Sequence, residues 1–143
     1  MNFKMHFISF MREVFLPHHR SLEFRAKIFT AMLVAKKIIT DDDYDIVRDI
    51  AIDIYKKDKR RVNVMVNTVK EFVQAIKINK LKTLDGLLKD IDRELNLINR
   101  YTQKIDFEHL RQLMINSDED DALVQQRVYE FILNEVRIYK KKD

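Results

Sequence analysis

The stretch VAKKIITDDDYDIVRDIA, residues 34–51, joins two runs of apolar residues and holds four carboxylates between them. After the carboxylates, Val47 and Ala51 recur at a spacing that puts both on one face of a helix. Thr40, followed three residues later by Asp43, resembles a capping box with Asp in place of Glu. The stretch therefore predicts a helix that begins at Thr40. Whether its carboxylates also bind a cation is a separate question.

The composition favours an all-α fold. The chain of 143 residues is 46% hydrophobic and 35% charged, which suits one domain with a real core. One glycine, Gly86, and one proline, Pro17, leave few residues for hairpin turns or phosphate-binding loops. We expect a compact single-domain bundle of six to seven helices over residues 1–143.

Apolar periodicity divides the chain into seven predicted helices. The first covers residues 1–16 and is either peripheral or packed on the bundle, and the second covers residues 21–37. The other five begin, in chain order, at Thr40, Asp58, Thr83 or Asp85, Asp106 and Ser117. In the last helix the predicted core residues are Val124, Val128, Phe131, Ile132, Val136 and Tyr139. Residues 140–143 are expected to be a frayed basic tail.

Several classes of protein are disfavoured by what the sequence lacks. It has no cysteine, which excludes disulfides, thiolate metal sites and cysteine nucleophiles. No apolar run approaches the roughly 18 residues of a membrane span. The first residues lack a signal-peptide pattern, since Lys4 and Arg12 interrupt the apolar positions. We expect a cytoplasmic protein.

The acidic residues of the opening stretch match only part of a calcium loop. Asp41, Asp43 and Asp45 have the first three ligand offsets of an EF-hand. The turn glycine and the bidentate glutamate of that loop are replaced by Ile46 and Ile52, so an EF-hand is rejected. Carboxylates in the first turn of a helix also complement its dipole, by about 0.3–1 kcal/mol each.

A second acidic run, from Asp118 to Asp121, follows Ser117 in the same kind of setting. Two interpretations stay open. Both runs are only helix starts, or they converge into a site for Ca²⁺ or Mg²⁺, which prefer hard oxygen ligands. The candidate ligands are Asp41, Asp43, Asp45, Asp118 and Asp120.

The segment SLEFRAKIFTAMLVAKKIITDDDYDIVRDIA, residues 21–51, resembles the TerB-like helical domain of bacterial tellurite-resistance and related stress proteins, and the likeness extends over residues 21–73. Ala35, Ile39 and Thr40 fit the pattern of that family, as does Asp43. Its usual Asp-Gly pair is replaced by two lysines. The resemblance implies a single TerB-like bundle, a role in stress response without catalysis, and divalent-cation binding through acidic residues.

A basic run, KKDKRR at residues 56–61, follows the predicted end of the helix that begins at Thr40. One interpretation is a solvated helix junction, where cations complement the C-terminal dipole. The other is a patch for a polyanion such as nucleic acid or an anionic surface, helped by the tail of Lys140, Lys141 and Lys142. The cations of the run are Lys56, Lys57, Lys59, Arg60 and Arg61.

The first predicted helix carries a large apolar stripe. Phe3, Phe7, Phe10 and Val14 lie on one face of it. This face packs on its own bundle, docks on another protein or a second copy of the chain, or lies at a membrane interface.

No motif indicates an enzyme. The four histidines, His6, His18, His19 and His109, form no HExxH pair, and the chain has no nucleophile elbow. The leading hypothesis is a non-catalytic TerB-like interaction module, and the alternative is a polyanion-binding protein.

Overall fold

The protein is described by a computed structural model that covers residues 20–140. Within that range the chain forms six α-helices and one 3-10 helix, and no strand. The predicted all-α bundle is therefore confirmed. The predicted helix at residues 1–16 and residues 141–143 lie outside the described range. The elements are α1 (Arg20–Val34), α2 (Asp41–Tyr55), α3 (Lys59–Lys77), α4 (Leu84–Leu97), the 3-10 helix (Asn99–Lys104), α5 (Phe107–Gln112) and α6 (Glu119–Lys140).

Helix α1 is the centre of the bundle. It packs against α3, α4, α6 and the 3-10 helix. Its second half, residues 28–34, is buried without interruption. A helix that is buried on every side needs apolar residues all round rather than along one stripe, and this sequence supplies them. The helix ends at Val34, three residues before the predicted end, because the chain turns there toward α2.

The turn between α1 and α2 contains a buried ion pair. The Lys36 ammonium lies 2.7 and 2.8 Å from the two carboxylate oxygens of Asp43. The Lys36 residue is 4% exposed and the Asp43 residue 0%. One oxygen of Asp43 also accepts from the backbone N–H of Thr40 at 2.9 Å. Asp43 therefore forms the predicted capping contact with Thr40 at the start of α2. It also neutralises Lys36, whose burial the sequence does not predict.

The same turn is attached to two further helices. The ammonium of Lys77, at the end of α3, donates to the backbone carbonyl of Lys36 at 2.6 Å. The backbone N–H of Lys37 donates to the carboxylate of Asp121, in the first turn of α6, at 3.1 Å. Residues 35–40 therefore fix the positions of α2, α3 and α6 relative to the end of α1.

Three more predicted helix starts are confirmed. The Asp58 carboxylate accepts from the backbone N–H of Arg61 at 3.1 Å and begins α3. The Thr83 hydroxyl accepts from Gly86 N–H at 3.0 Å and begins α4. Asp106 begins α5 in the same way. These contacts join residues two or three apart, so the sequence alone determines them.

The 3-10 helix was not predicted. Its residues show no helical apolar period, and its place depends on a distant contact. Tyr101 packs on Phe24 of α1 with the ring centroids 5.0 Å apart.

Two predictions for the last helix are wrong. Val124 is 39% exposed, and its neighbour Gln125 is fully buried instead. The Gln125 amide donates to the carbonyls of Met32 at 3.0 Å and Leu113 at 3.2 Å, which satisfies the ends of α1 and α5. Ser117 does not cap the helix, because its hydroxyl donates to Gln125 at 2.6 Å. Asp118 accepts from the first turn in its place.

None of the helices in residues 20–140 is both long and apolar enough to cross a membrane.

We predict that breaking the Lys36–Asp43 pair strongly destabilises the fold. Asp43→Ala leaves a buried ammonium without a counter-ion and should lower the free energy of unfolding by about 3–5 kcal/mol. Asp42→Ala is the control, since Asp42 is exposed in the same helical turn and should cost only about 0.3–1 kcal/mol. Urea denaturation measures both. Equal losses for the two variants would contradict the assignment.

Candidate anion-binding clefts

The five predicted cation ligands are not assembled into a metal site. Asp43 contacts Lys36, whereas Asp41 and Asp45 are exposed on α2. Asp118 caps α6, and Asp120 lies 3.6 Å from the ammonium of Lys37. Within residues 20–140, no group of three or more metal-binding side chains is placed to hold an ion. The two acidic runs do approach the same turn, but there Asp43 and Asp120 lie beside lysine ammonium groups and Asp121 accepts from a backbone N–H.

The basic run lines a cleft at the junction of α2 and α3. We call it the Lys59 cleft, and its volume is about 550 Å³. Its lining residues are Arg48, Ile52, Lys56, Lys57, Lys59, Val62 and Asn63. Three of the five predicted cations are therefore part of it. Arg61 instead pairs with Asp58 at 3.2 Å, next to Arg60 in the first turn of α3.

The Lys59 cleft has an apolar floor and a cationic rim. Val62 is buried, and Ile52 is 47% exposed toward solvent. The Arg48 guanidinium donates to the amide oxygen of Asn63 at 2.8 Å, which orients it across the two helices. Lys56 keeps one weak partner, Asp53, at 3.7 Å. The arrangement can bind an anion through ammonium and guanidinium donors while an attached apolar group rests on the floor.

Arg48 was not singled out from the sequence. It lies one turn before Ile52, at the spacing that puts two residues on the same side of α2. That spacing was a usable signal. What the sequence did not show is that this side of α2 faces α3.

A second cleft lies at the other end of the same helix pair. We call it the Lys70 cleft, and its volume is about 310 Å³. Its lining residues are Lys37, Ile39, Tyr44, Lys70, Val73, Gln74, Lys77 and Ile78. Sequence reasoning missed it, because its three lysines come from two separate segments of the chain.

The side chains of the Lys70 cleft are held by their neighbours. The ammonium of Lys70 lies 5.2 Å from the ring centroid of Tyr44, within cation–π range. Burial raises the pKa of the Tyr44 hydroxyl, and the charges of Asp43 and Asp41 add to that effect. Burial also lowers the pKa of Lys77, since its ammonium is partly withdrawn from water. An anion in this cleft would relieve that penalty.

A cluster of acidic groups joins α4 and α6. The Tyr139 hydroxyl donates to the carboxylate of Asp92 at 2.6 Å. The pKa of Glu135 is raised to about 7, first by burial and then by its hydrogen bond to Asp92. Two carboxyl groups at one buried place favour retention of a shared proton. Glu135 is buried within the bundle, so we assign the cluster to stability rather than to ligand binding.

His109 is the one histidine in the described range, and its contacts hold neighbouring helices together. Its Nε2 lies 2.9 Å from the carboxylate of Asp53, and its ring packs edge-on against Phe29. The hydrogen bond to His109 lowers the pKa of Asp53, as does the nearby charge of Lys56. The contact connects the end of α2 to α5.

No protein-family model, no curated protein and no solved structure matches the chain. The structure shows an all-α bundle whose residues 20–140 include the Lys59 and Lys70 clefts, and the TerB-like resemblance stays a prediction.

We predict that divalent cations leave the stability unchanged. Because the Asp43 carboxylate already binds Lys36 and Thr40, Ca²⁺ or Mg²⁺ would have to displace a buried lysine. The melting temperature should be the same in chelator and in millimolar Ca²⁺, Mg²⁺ or Mn²⁺, with choline chloride as the ionic-strength control. A rise specific to one divalent ion, lost in Asp41→Asn, would show that the acidic turn is a metal site.

We predict that Glu135 makes the fold less stable as the pH rises. The folded protein keeps its proton up to about pH 7, while the unfolded chain releases it near the ordinary value of 4.5. The stabilisation is therefore complete below 4.5 and is lost as the pH rises through 7. Glu135→Gln should be the more stable form at pH 8 and should lose less stability than wild type between pH 5 and 8. Glu130→Gln, exposed on the same helix, is the control. Thermal melts in which both variants follow wild type would contradict this role.

Proposed function

We propose that the protein is a non-catalytic binding module that holds an anionic partner on the face formed by α2 and α3. The observation that carries the proposal is the Lys59 cleft, where Arg48, Lys56, Lys57 and Lys59 surround an apolar floor. Four cations around one concavity lower the potential energy of an anion there and raise its local concentration.

The distribution of charge on the two helices supports this choice. Helix α2 carries six aspartates and one arginine, and Arg48 is the residue that contacts Asn63 of α3. Helix α3 carries five cations and one glutamate. The cationic side chains of both helices that line the cleft are separate from the exposed aspartates at the start of α2. An anion is therefore attracted to the cleft between the helices.

The proposal keeps the class that the TerB-like resemblance implies, an interaction module without catalysis. Its support is that three buried polar side chains, Asp43, Gln125 and His109, each have partners within the fold. Asp43 binds Lys36, Gln125 binds two backbone carbonyls, and His109 binds Asp53. The Phe-rich segment with Phe3, Phe7, Phe10 and Val14 lies outside the described residues, and a protein or self-association partner for it stays a proposal.

The test is retention of the full chain on immobilised heparin. Wild type should be retained and elute with rising salt, because binding releases counter-ions. Lys56→Glu/Lys59→Glu should elute at a clearly lower salt concentration. The control, Lys89→Glu/Arg127→Glu, makes the same change in net charge at exposed positions of α4 and α6.

Only a difference between these two variants supports a site. If the control variant loses as much retention as the cleft variant, binding follows net charge and the cleft is not the site. If wild type is not retained at about 50 mM salt, the proposal fails altogether.

A further inference from the structure

The Lys70 cleft and the Lys59 cleft lie along one side of α3. Lys59, Asn63, Lys70, Gln74 and Lys77 follow one another at intervals of three, four or seven residues. Residues at these intervals occupy the same side of an α-helix. All five line one of the two clefts. The two clefts share no lining residue but lie in line along the seam between α2 and α3, which we call the α2–α3 groove.

Helix α2 supplies the opposite wall of this groove. Tyr44, Arg48 and Ile52 recur every four residues, with Tyr44 in the Lys70 cleft and the other two in the Lys59 cleft. Contacts cross from wall to wall at both ends, from Lys70 to the ring of Tyr44 and from Arg48 to Asn63. Helices α2 and α3 pack directly on each other along the groove.

The length of the groove limits the ligand. Lys59 and Lys77 are 18 residues apart on one helix, which corresponds to about 27 Å at ~1.5 Å per residue. A single phosphate or a small anion reaches one cleft only. A ligand that uses both needs regularly repeated charges over that distance.

Groups other than the cations limit the ligand further. A single strand exposes its bases to the side chains beside its phosphates, whereas the bases of a duplex are stacked inside it. At the ~3.4 Å axial spacing of phosphates on one strand of a duplex, about 27 Å holds about eight phosphates, and fewer in a stretched strand. Amides of Asn63 and Gln74 and the ring of Tyr44 offer hydrogen bonds and a stacking surface between the cations.

The groove also has an acidic edge. Asp41 lies close enough to Tyr44 to raise its pKa, and Asp45 and Asp49 follow on the exposed side of α2. These carboxylates repel a polyanion from the outer side of α2. A strand is therefore confined to the side of the groove that α3 forms.

From the two aligned clefts we propose that the α2–α3 groove binds a single strand of nucleic acid along its backbone, without base specificity, with Lys37, Lys70 and Lys77 as a second phosphate-binding end. This inference rests on the proposed anion-binding function and adds both the ligand class and the second site.

The test is fluorescence anisotropy of the full chain with labelled oligo-dT and oligo-rU of 4 and 16 nucleotides at about 50 mM salt. The 16-mer should bind at least about tenfold more tightly than the 4-mer, since only the longer strand spans both clefts. Lys37→Ala/Lys70→Ala and Lys56→Ala/Lys59→Ala should each weaken 16-mer binding by about tenfold. Each should also reduce the slope of log K against log salt by about 1.4, at ~0.7 per lost phosphate contact. Lys89→Ala/Arg127→Ala is the matched control and should change neither value.

The chosen lysines avoid the interactions that hold the fold. Lys37 and Lys70 are exposed, whereas Lys77 is left intact because it donates to the carbonyl of Lys36. A thermal melt of each variant verifies that folding is unchanged. A difference between dT and rU would show which nucleic acid is the better ligand.

Three other results distinguish a failure of this inference from a failure of the proposed anion-binding function. If Lys37→Ala/Lys70→Ala binds the 16-mer like wild type while Lys56→Ala/Lys59→Ala does not, the second site is wrong and the first stands. If neither oligonucleotide binds but heparin or phosphatidylserine vesicles do, the ligand class is wrong. If no polyanion binds, both proposals fail.

Discussion

The structure depends on one buried ion pair, between Lys36 and Asp43. A buried charge without a partner costs several kcal/mol, so the two side chains can be buried only as a pair. Their contact sets the angle at which α2 leaves α1. The carbonyl of Lys36 then accepts from Lys77, which determines where α3 ends relative to that turn. The pair thus determines the geometry of α2 and α3, and with it the shape of the groove between them.

This arrangement accounts for several of the aspartates around the turn between α1 and α2. Asp43 neutralises a lysine inside the turn, Asp121 accepts from the backbone of Lys37, and Asp41 and Asp42 remain in water at the start of α2. Each carboxylate has a role that follows from its own position in the helix. The remaining lysines of this end, Lys37 and Lys70, are directed to the groove. Acidic residues organise the turn, and these two lysines line the cleft beside it.

How far the sequence predicts the molecule depends on the range of each interaction. The caps Thr40, Asp58 and Asp106 act on residues two or three positions away, and all were predicted correctly. The burial of Gln125 depends on carbonyls 93 and 12 residues distant, and reading apolar period alone wrongly placed Val124 inside. The basic run was recognised from its composition. Its partner Arg48 and the whole Lys70 cleft were not, because both arise from the packing of α2 on α3, which no single segment encodes.

The most direct test of the account is an NMR titration of the ¹⁵N-labelled full chain with 16-nucleotide oligo-dT. Amide shifts should move along both walls of the groove, from Lys37 to Arg48 and from Lys56 to Ile78. The resonances of the Lys36–Asp43 turn should stay observable throughout the titration, because the ligand binds beside a preformed site without unfolding it. Shifts confined to α4 and α6, or spread evenly over all exposed lysines, would contradict the account.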